Sequence, residues 1–393
     1  MSAFANCYKS GMNKRFAKHT GLLVLGSLCA FLLSAQRVVF SLGKLPAGTK
    51  GPVYLAGSFN AWNPADPAWR LMPGDSLVRQ IGQPGDIIQF KCTLGSWQQV
   101  EQSAGGTDIA NRTFRLYRDT TIVLQVAAFR SADTGGVPAR TSTATAGVTV
   151  FDSAFWFPSI GVRRMVRLYL PPNYQRGRQH YPVLYMFDGQ NLFDKASASF
   201  GEWRVDESLD SIFKQTGRGV IVIGIDHAGP QRINEYNPYD SSRFGLGYGE
   251  KLISDIVHQL KPAVDTRLRT KASRRHTWIG GSSMGGLMAT YTMLHSSHSF
   301  GAAAVFSPAY WINTSLPAQI AAWRPTAKRQ PLRWYFYAGD MESKQMVPDL
   351  QRIAKLVDKQ DGTTVMLISA GAKHEEAAWA AAFPAFIIQL LAR

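Results

Sequence analysis

Four glycines enclose two serines at residues 280–286, which read GGSSMGG. The preceding HTWI is rich in β-branched and aromatic residues, which predicts a short buried strand. The following LMATYTMLH has apolar residues at helical spacing and no glycine or proline, which predicts a helix. The glycines are therefore expected in a tight turn from a strand to a helix.

Within this turn, Gly281-Ser282-Ser283-Met284-Gly285 fits the pattern G-x-S-x-G. In a nucleophile elbow, the serine lies in a strained turn between a strand and a helix, and its hydroxyl is exposed above the sheet. Gly281 and Gly285 would leave the room that Ser283 needs there. The alternatives are a plain glycine-rich turn and Ser282 as the nucleophile, whose frame would place Met284 where the pattern has glycine.

A serine nucleophile needs a base, and the base needs an acid that orients it. In α/β-hydrolases the order along the chain is serine, then an acid, then histidine. The strand-like RWYFYA is followed by Asp340 and Glu342, and the strand-like TVMLIS is followed by His374. The other histidines after the serine, His295 and His298, lie on or just after the helix that follows the elbow. His374 is therefore the candidate base, and either acid could orient it.

Strand-like and helical segments alternate from about residue 148 onwards. The apolar strand candidates are VRLYLPP, YPVLYMFDG, VIVIGID, HTWIGGS, AAAVFSPA, RWYFYAGD and TVMLISAG. Continuous apolar strands separated by helices are typical of a mostly parallel sheet with helices on both faces. We therefore predict an α/β class, with an α/β-hydrolase domain over residues 148–393.

The segment before this region is predicted to be all-β. Short strand candidates such as VVFSL, PVYLAGSF, IIQFKCTL and TIVLQV are separated by Gly, Pro, Asn and Asp. This pattern suits a small β-sandwich over residues 36–131. Residues 132–147 are rich in Ser, Thr, Ala, Gly and Pro, a composition typical of a linker.

Residues 1–35 have the features of a secretory signal peptide. Four basic residues and no acidic residue precede an apolar run of about 15 residues, which is short for a membrane span. Ala35 offers a small residue at a cleavage point. An uncleaved anchor and lipid attachment at Cys29 are the alternatives, although Leu28 is bulky for lipid attachment. The sequence therefore predicts an exported protein, either periplasmic or secreted.

The composition of the 393-residue chain is that of a globular protein, with 45% hydrophobic and 18% charged residues. The formal net charge is +16, but the basic residues are scattered, so nucleic acid is not an expected partner. Once the leader is removed, Cys92 is the one cysteine, and we expect it to be a small buried residue. The sequence shows neither metal-ligand spacing nor a glycine-rich phosphate loop, so we expect no metal and no other cofactor.

The region from about 148 to 393 resembles the putative-esterase family of α/β-hydrolases. This family includes enterochelin (siderophore) esterases, feruloyl and acetyl-xylan esterases, S-formylglutathione hydrolase and the mycobacterial mycolyltransferases. The matching segments are RLYLPPNY, YPVLYMFDGQNLFD, GEWRVDESLD, VIVIGID, NEYNP, TWIGGSSMGGLMA, VFSPAYW, YAGDMES and GAKHEEAAW. The resemblance implies a carboxylic ester hydrolase of the serine type.

The resemblance also implies a catalytic triad. Ser283 matches the family's nucleophile, and His374 matches its general base. The family's acid typically lies three residues after the glycine that ends its strand, which matches Glu342. Asp340 lies in the same turn and is the alternative acid.

The resemblance further implies an oxyanion hole built from two backbone N–H donors. The matching positions are Met284, which follows the nucleophile, and Gln190 in the turn MFDGQN. Asp188 is expected to brace the loop that carries Gln190. Arg232 and Glu235, in RINEYNP, are expected to form a structural pair beside the site.

Aromatic residues in both parts of the chain are candidates for substrate contacts. Trp203 and Trp311 match family positions near the cleft, where they either line a pocket or serve only in packing. In the front region, the stretches VYLAGSFNAWNPADPAWRL and FKCTLGSWQQVEQSAGGTDIANRTF resemble starch- and glycogen-binding β-sandwich modules, in which a lysine and a tryptophan hold glucose rings. Lys91, Trp97 and Trp62 are the matching positions. The alternative is a structural or substrate-gating domain that does not bind sugar.

The function predicted from the sequence is an exported serine esterase whose substrate is a small-molecule or polysaccharide ester. The sugar-binding-like front domain favours carbohydrate-linked acetyl or feruloyl esters. A siderophore esterase and an acyltransferase are the alternatives. A glycan-binding protein with an inactive hydrolase domain is the alternative outside the enzymes.

Overall fold

The computed structural model describes residues 35–392, apart from residues 50, 61, 107, 108, 110, 131–140, 199, 228, 241–244, 325–331 and 361. The predicted signal peptide falls almost wholly outside the described residues, as does most of the predicted linker. Among the described residues, no helix combines the length and the apolar character that a bilayer crossing requires.

The front part of the described chain is built from short strands. They are β1 Gln36–Leu42, β2 Val53–Gly57, β3 Arg70–Leu71, β4 Ser76–Ile81, β5 Ile87–Thr93, β6 Glu101–Gln102, β7 Arg112–Arg115, β8 Thr120–Leu124 and β9 Ala128–Phe129. One sheet has the order β4-β1-β8 and another has the order β3-β2-β5-β7, while β6 pairs with β9. The first two sheets enclose one core, which includes Phe40 of β1 and Phe90 of β5. The β-rich front region predicted from the sequence is therefore present.

Cys92 lies in β5 with no exposed surface, as expected for a small buried residue. Burial raises the pKa of its thiol, and the nearby Glu101 carboxylate raises it further. A buried thiol with a raised pKa is a poor nucleophile, so Cys92 serves in packing.

The region after the front part contains one eight-stranded sheet within the described residues. Its strands are β10 Val148–Phe157, β11 Val162–Tyr169, β12 Val183–Phe187, β13 Ile221–Ile225, β14 Thr277–Ser282, β15 Ala302–Phe306, β16 Leu332–Gly339 and β17 Gly362–Ser369. The order is β10-β11-β13-β12-β14-β15-β16-β17. β10, β11 and β13 pair antiparallel, whereas the pairs from β13–β12 through to β16–β17 are parallel.

The helices of this region cover both faces of the sheet. They are α1 Val205–Thr216, α2 Arg232–Glu235, α3 Gly249–Asp255, α4 Lys261–Arg267, α5 Met284–His295, α6 Leu316–Ala322, α7 Met346–Asp358 and α8 Glu376–Leu391. A π-helical segment, Ile256–Leu260, joins α3 to α4. Apolar residues of α1 and α8 belong to one core, and those of α3–α7 belong to the other.

The residue pattern of these elements explains the two cores. In β12, Tyr185 and Phe187 belong to one core, while Leu184 and Met186 belong to the other, because successive side chains of a strand point to opposite faces. This is why the strand sequence is apolar throughout. The predicted α/β-hydrolase fold, a mostly parallel sheet with helices on both faces, is confirmed. Since the central strands are parallel, their carboxyl ends meet at one edge, where ligands bind in open α/β sheets.

Candidate active site

The turn after β14 holds Ser283 in a strained conformation. Its φ of 56° and ψ of −116° lie outside the regions that L-residues prefer. The strain is maintained by its surroundings, since Ser283 N donates to Phe306 O at 2.9 Å and Ser283 O accepts from Ala309 N at 2.9 Å. Ser283 is partly exposed, whereas the neighbouring Ser282 ends β14 and is buried. The geometry is that of a nucleophile elbow centred on Ser283.

The flanking glycines are required by close backbone contacts. A Cβ atom at Gly281 would lie 2.9 Å from the carbonyl carbon of Gly285. A Cβ atom at Gly286 would lie 2.9 Å from the carbonyl oxygen of Phe306 on the neighbouring strand. Any side chain at Gly281 or Gly286 would therefore displace backbone of α5 or β15.

His374 and Glu342 meet at the carboxyl ends of β16 and β17. His374 Nδ1 lies 2.8 Å from Glu342 Oε2, and the Glu342 side chain is almost completely buried. The other carboxylate oxygen, Oε1, accepts from Gly339 N and from Ser307 Oγ, each at 2.6 Å. Charge-assisted hydrogen bonds of this length hold a buried carboxylate in one orientation. Glu342 is therefore placed to orient the imidazole of His374.

Asp340, the alternative acid, has a different partner. It is exposed, and its Oδ1 accepts from Gly371 N at 2.7 Å. That bond fixes the turn after β17. The structure thus pairs His374 with Glu342 and not with Asp340.

Ser307 is a site residue that the sequence reasoning missed. It directly follows β15, has no exposed surface and has a φ of 45°. Its hydroxyl donates to Glu342 and accepts from Trp379 Nε1 at 2.9 Å. The Trp379 ring in turn lies edge-on to the His374 ring, 5.0 Å between centroids. The available signal was that a polar residue ends an otherwise apolar strand in VFSPAYW.

The loop after β12 carries Gln190 and is braced by Asp188. Asp188 adopts a left-handed conformation with a φ of 59°, and a short 3-10 turn, Gly189–Asn191, follows it. Arg232 donates to both oxygens of Asp188, at 2.6 Å and 2.7 Å. Burial alone would lower the pKa of Arg232, but the Asp188 carboxylate more than reverses this and leaves it raised. This bidentate ion pair fixes Asp188, and with it the start of the loop that carries Gln190.

The expected pair between Arg232 and Glu235 is wrong. Arg232 pairs with Asp188, and Glu235 forms an ion pair with Arg164 of β11 instead. The two residues lie three positions apart in the short helix α2, but the nearest opposite charges belong to other elements. Both ion pairs lie beside the loop that carries Gln190.

Glu376 is a second missed residue, two positions after His374. It begins α8 and is 8% exposed. Its pKa is raised to about 8, chiefly by burial and also by the Asp188 carboxylate. Its own backbone N–H, Arg232 and Lys91 oppose this increase but do not cancel it. Asn191 Nδ2 donates to Glu376 Oε1 at 3.4 Å. This acid therefore lies between the loop that carries His374 and the loop after β12.

The two candidate tryptophans of the hydrolase region differ in exposure. Trp203 is 2% exposed and packs against Phe306, Trp379 and Phe383, with ring centroids 5.0 to 6.4 Å apart. It leaves no surface for a substrate, so the packing alternative applies to Trp203. Trp311 is 49% exposed in a 3-10 turn after β15, and it stays a candidate for substrate contact.

The three candidate sugar contacts of the front domain also differ. The prediction for Lys91 is wrong, because this residue of β5 is 3% exposed and its ammonium donates to the carbonyl oxygen of Ile109. Trp62 and Trp97 are partly exposed, with ring centroids 6.4 Å apart. Trp97 also contacts Phe200 of the hydrolase region, edge-on at 5.9 Å. The aromatic pair therefore borders the junction between the two parts.

One carboxylate group in the described residues has donor atoms close enough for a metal ion. Glu202, Asp206 and Glu207 place one oxygen each within 4.8 Å of one another at the start of α1. Burial and the neighbouring Glu207 raise the pKa of Asp206 to about 7, and Arg204 forms an ion pair with Glu207. The raised pKa of Asp206 and the guanidinium of Arg204 both reduce the repulsion between these carboxylates, and we assign no ligand to the cluster.

The fold and the elbow define the class of the protein as an α/β-hydrolase. The sequence model of the family described as "Putative esterase" matches residues 158–390, more than half of the chain. The chain therefore belongs to the Putative esterase family, a class of carboxylic ester hydrolases. The family predicted from the sequence is confirmed.

Individual relatives cover different parts of the chain. An α-amylase of Niallia circulans is 39% identical over 109 residues, which are 26% of this chain and 8% of the α-amylase. The uncharacterized protein YbbA of Bacillus subtilis (strain 168) is 29% identical over 176 residues, which are 42% of this chain and 65% of YbbA. The chain thus spans less than two thirds of both curated relatives.

Among solved structures, the enterobactin esterase FES from Shigella flexneri has a TM-score of 0.52 at 15% identity. The match covers 89% of this chain and 90% of that one. At this identity the likeness is one of fold alone.

Proposed function

We propose that the protein is an exported serine esterase with Ser283, His374 and Glu342 as its catalytic triad. The observation that supports this most directly is the 2.8 Å contact between His374 Nδ1 and buried Glu342 Oε2. It lies at the sheet edge from which the strained Ser283 turn also begins. A base that is oriented by a buried acid, at the same edge of the sheet as an elbow serine, matches the arrangement that acyl transfer to serine uses.

In the proposed reaction, Ser283 Oγ attacks the ester carbonyl carbon while His374 accepts the hydroxyl proton. Glu342 accepts a hydrogen bond from His374 Nδ1–H, so Nε2 is the nitrogen that accepts the serine proton, and the carboxylate stabilises the imidazolium that results. The backbone N–H groups of Met284 and Gln190 donate to the oxyanion. His374 returns the proton to the departing alcohol, and an acyl-enzyme forms. Water then attacks the acyl carbon through the same base, which releases the acid and restores the serine.

The favoured substrates are carbohydrate-linked esters, such as acetyl or feruloyl esters of a polysaccharide. Trp62 and Trp97 lie at the junction of the two parts, where Trp97 also contacts Phe200 of the hydrolase region. Aromatic rings of this kind stack on the apolar faces of sugars. Trp311 offers a further half-exposed ring in the hydrolase region. The similarity to an α-amylase over 109 residues also favours a carbohydrate context.

A siderophore esterase is the second candidate, because the likeness in fold to the enterobactin esterase extends over 89% of the chain. Transfer of the acyl group to a sugar hydroxyl in place of water is a variant of the same chemistry. A glycan-binding protein with an inactive hydrolase domain is disfavoured, because Ser283, Glu342 and His374 are all present and the His–Glu contact is formed.

The test is hydrolysis of p-nitrophenyl acetate by the mature chain and by its Ser283→Ala variant. We expect the variant to lose roughly 10⁴- to 10⁶-fold in kcat, since the serine, base and acid act as a unit. Acetylated and feruloylated xylan, compared with a catecholate siderophore ester, would then identify the substrate class. Turnover by Ser283→Ala at the wild-type rate would refute the proposal.

Export is tested separately by the mass of the protein after expression of the full-length gene in a bacterium. A periplasmic or secreted product that starts near residue 36 would support the signal peptide. A full-length cytoplasmic product would contradict it.

A further inference from the structure

One buried side chain of the front domain donates a hydrogen bond to the backbone of the loop after β16, which carries Glu342. Gln89 of β5 is 3% exposed, and its Nε2 donates to the carbonyl oxygen of Glu342 at 2.8 Å, across 253 residues of sequence. Its Oε1 accepts from Asn111 Nδ2 at 3.3 Å. Because Asn111 occupies the oxygen side of the amide, the Gln89 amide is oriented with its donor toward Glu342.

Two further contacts join the front domain to the same loop. Arg115 of β7 places Nη2 3.3 Å from Met341 Sδ. Asp86, just before β5, lies 3.7 Å from Lys344 Nζ in an exposed ion pair. The residues on both sides of Glu342 are thus in contact with the same edge of the front sandwich.

The hydrolase region holds the start of the loop through backbone bonds, and it holds the Glu342 carboxylate through Gly339 N and Ser307 Oγ. Asp340 N donates to Ser369 O, and Met341 N donates to Ala372 O, so β17 and the turn after it hold the start of the loop. The Gln89 side chain binds the backbone carbonyl of Glu342, while the Glu342 carboxylate contacts His374. A buried carbonyl that loses its donor is destabilised, and this favours any displacement of the Glu342 backbone that finds a new partner.

We propose that Gln89 is a positioning residue for Glu342, so that the front β-sandwich forms part of the catalytic unit. This inference rests on the proposed role of Glu342 in the triad. Gln89 does not touch the reacting atoms; it holds the backbone from which the acid projects. The front domain is therefore required for full turnover, whether or not it binds sugar.

The test compares Gln89→Met, which keeps the length of the side chain and removes the donor, with Gln89→Glu, which sets a carboxylate against the carbonyl. Lys344→Met is the matched control, because it breaks an exposed contact between the same two parts without touching Glu342. kcat and KM for p-nitrophenyl acetate are measured for each. Thermal unfolding shows whether each variant is folded.

We expect kcat of Gln89→Met to fall roughly 10- to 100-fold with KM within twofold, since a small misplacement near the chemistry has effects of this size. Gln89→Glu should lose at least as much, and Lys344→Met should stay within twofold of wild type. A merely structural role would lower the unfolding temperature of Gln89→Met but leave kcat unchanged. A folded Gln89→Met with wild-type kcat would overturn the inference.

Asn111→Ala covers the case in which Gln89 variants do not fold. It keeps Gln89 but frees its amide to turn, so kcat should fall in the same direction by a smaller factor. An unchanged kcat in folded Asn111→Ala would then overturn the inference.

A second readout separates this inference from the proposed esterase activity. We expect the proton between His374 Nδ1 and Glu342 Oε2 to give a downfield signal in proton NMR, and its observation needs no turnover. We expect this signal to shift or broaden in Gln89→Met and to stay in place in Lys344→Met. An unshifted signal in Gln89→Met would overturn the inference even if the wild type hydrolyses no ester.

Discussion

Replacing Ser307 by alanine removes one hydroxyl that takes part in two buried hydrogen bonds. The hydroxyl donates to Glu342 Oε1 at 2.6 Å and accepts from Trp379 Nε1 at 2.9 Å. A hydrogen bond to a charged group contributes about 1.5–3 kcal/mol, and an unpaired buried N–H costs about 1–3 kcal/mol. The change keeps the Cβ atom, so the strain at the positive φ of Ser307 is unaffected. We therefore expect Ser307→Ala to lower the free energy of unfolding by about 2.5–6 kcal/mol, the sum of the two contributions.

The same change should reduce turnover, because Glu342 loses a bond that holds its carboxylate toward His374. We expect kcat for p-nitrophenyl acetate to fall roughly 10- to 100-fold. The free energy of unfolding is measured by urea denaturation. Ser153→Ala is the control, since Ser153 is exposed in β10, and its effect should stay within about 0.5 kcal/mol.

A double-mutant cycle with Trp379→Phe isolates the bond between the two side chains. We expect a coupling energy of roughly 0.5–3 kcal/mol, as for groups in one hydrogen-bond network. The reasoning is refuted if Ser307→Ala loses less than about 1 kcal/mol, or if its kcat equals that of wild type.

Three further predictions concern the elbow, the loop after β12 and Glu376. Gly281→Ala should lower the free energy of unfolding by about 1–3 kcal/mol in urea, because its Cβ atom would meet the backbone of Gly285; an unchanged midpoint would contradict the elbow packing. Asp188→Asn should cost about 2 kcal/mol in the same assay, since the guanidinium of Arg232 is left largely buried without its partner; a loss below about 0.5 kcal/mol would contradict the bracing role. The Glu376 carboxyl has its pKa raised from 4.5 to about 8, so the folded state holds this proton more tightly than the unfolded state, and its contribution to stability is lost as pH rises from about 4.5 to 8. Urea denaturation at several pH values should show that Glu376→Gln loses less stability over this interval than wild type, and parallel pH profiles would contradict the assignment.

The elbow and the sheet could be predicted because their signals are local. Ser283 and its flanking glycines lie within one turn, and the contacts that demand glycine are formed by near neighbours such as Gly285. Apolar strands and amphipathic helices show their period over a few residues; in α7 the buried positions are Leu350, Ile353, Ala354 and Val357. Such patterns can be recognised in the sequence without knowledge of the tertiary structure.

The supporting contacts could not be predicted because they join distant segments. Gln89 and Glu342 are 253 residues apart, and no local pattern connects a strand of the front sandwich to a loop after β16. Lys91 matched a sugar-binding position by sequence, yet the packing of the front domain buries it. The partner of Arg232 likewise depends on the loop that the fold brings beside it. Burial and ion pairing are properties of the assembled structure.

The central claim is that Ser283 forms a covalent acyl-enzyme with His374 as its base. The most direct measurement is mass spectrometry of the protein quenched during hydrolysis of p-nitrophenyl acetate, followed by peptide mapping. We predict an acetyl group on the peptide that contains Ser283, its absence in Ser283→Ala, and its absence in His374→Ala. Steady hydrolysis by the wild type with no acetyl group on that peptide, or with the group on another residue, would contradict the account.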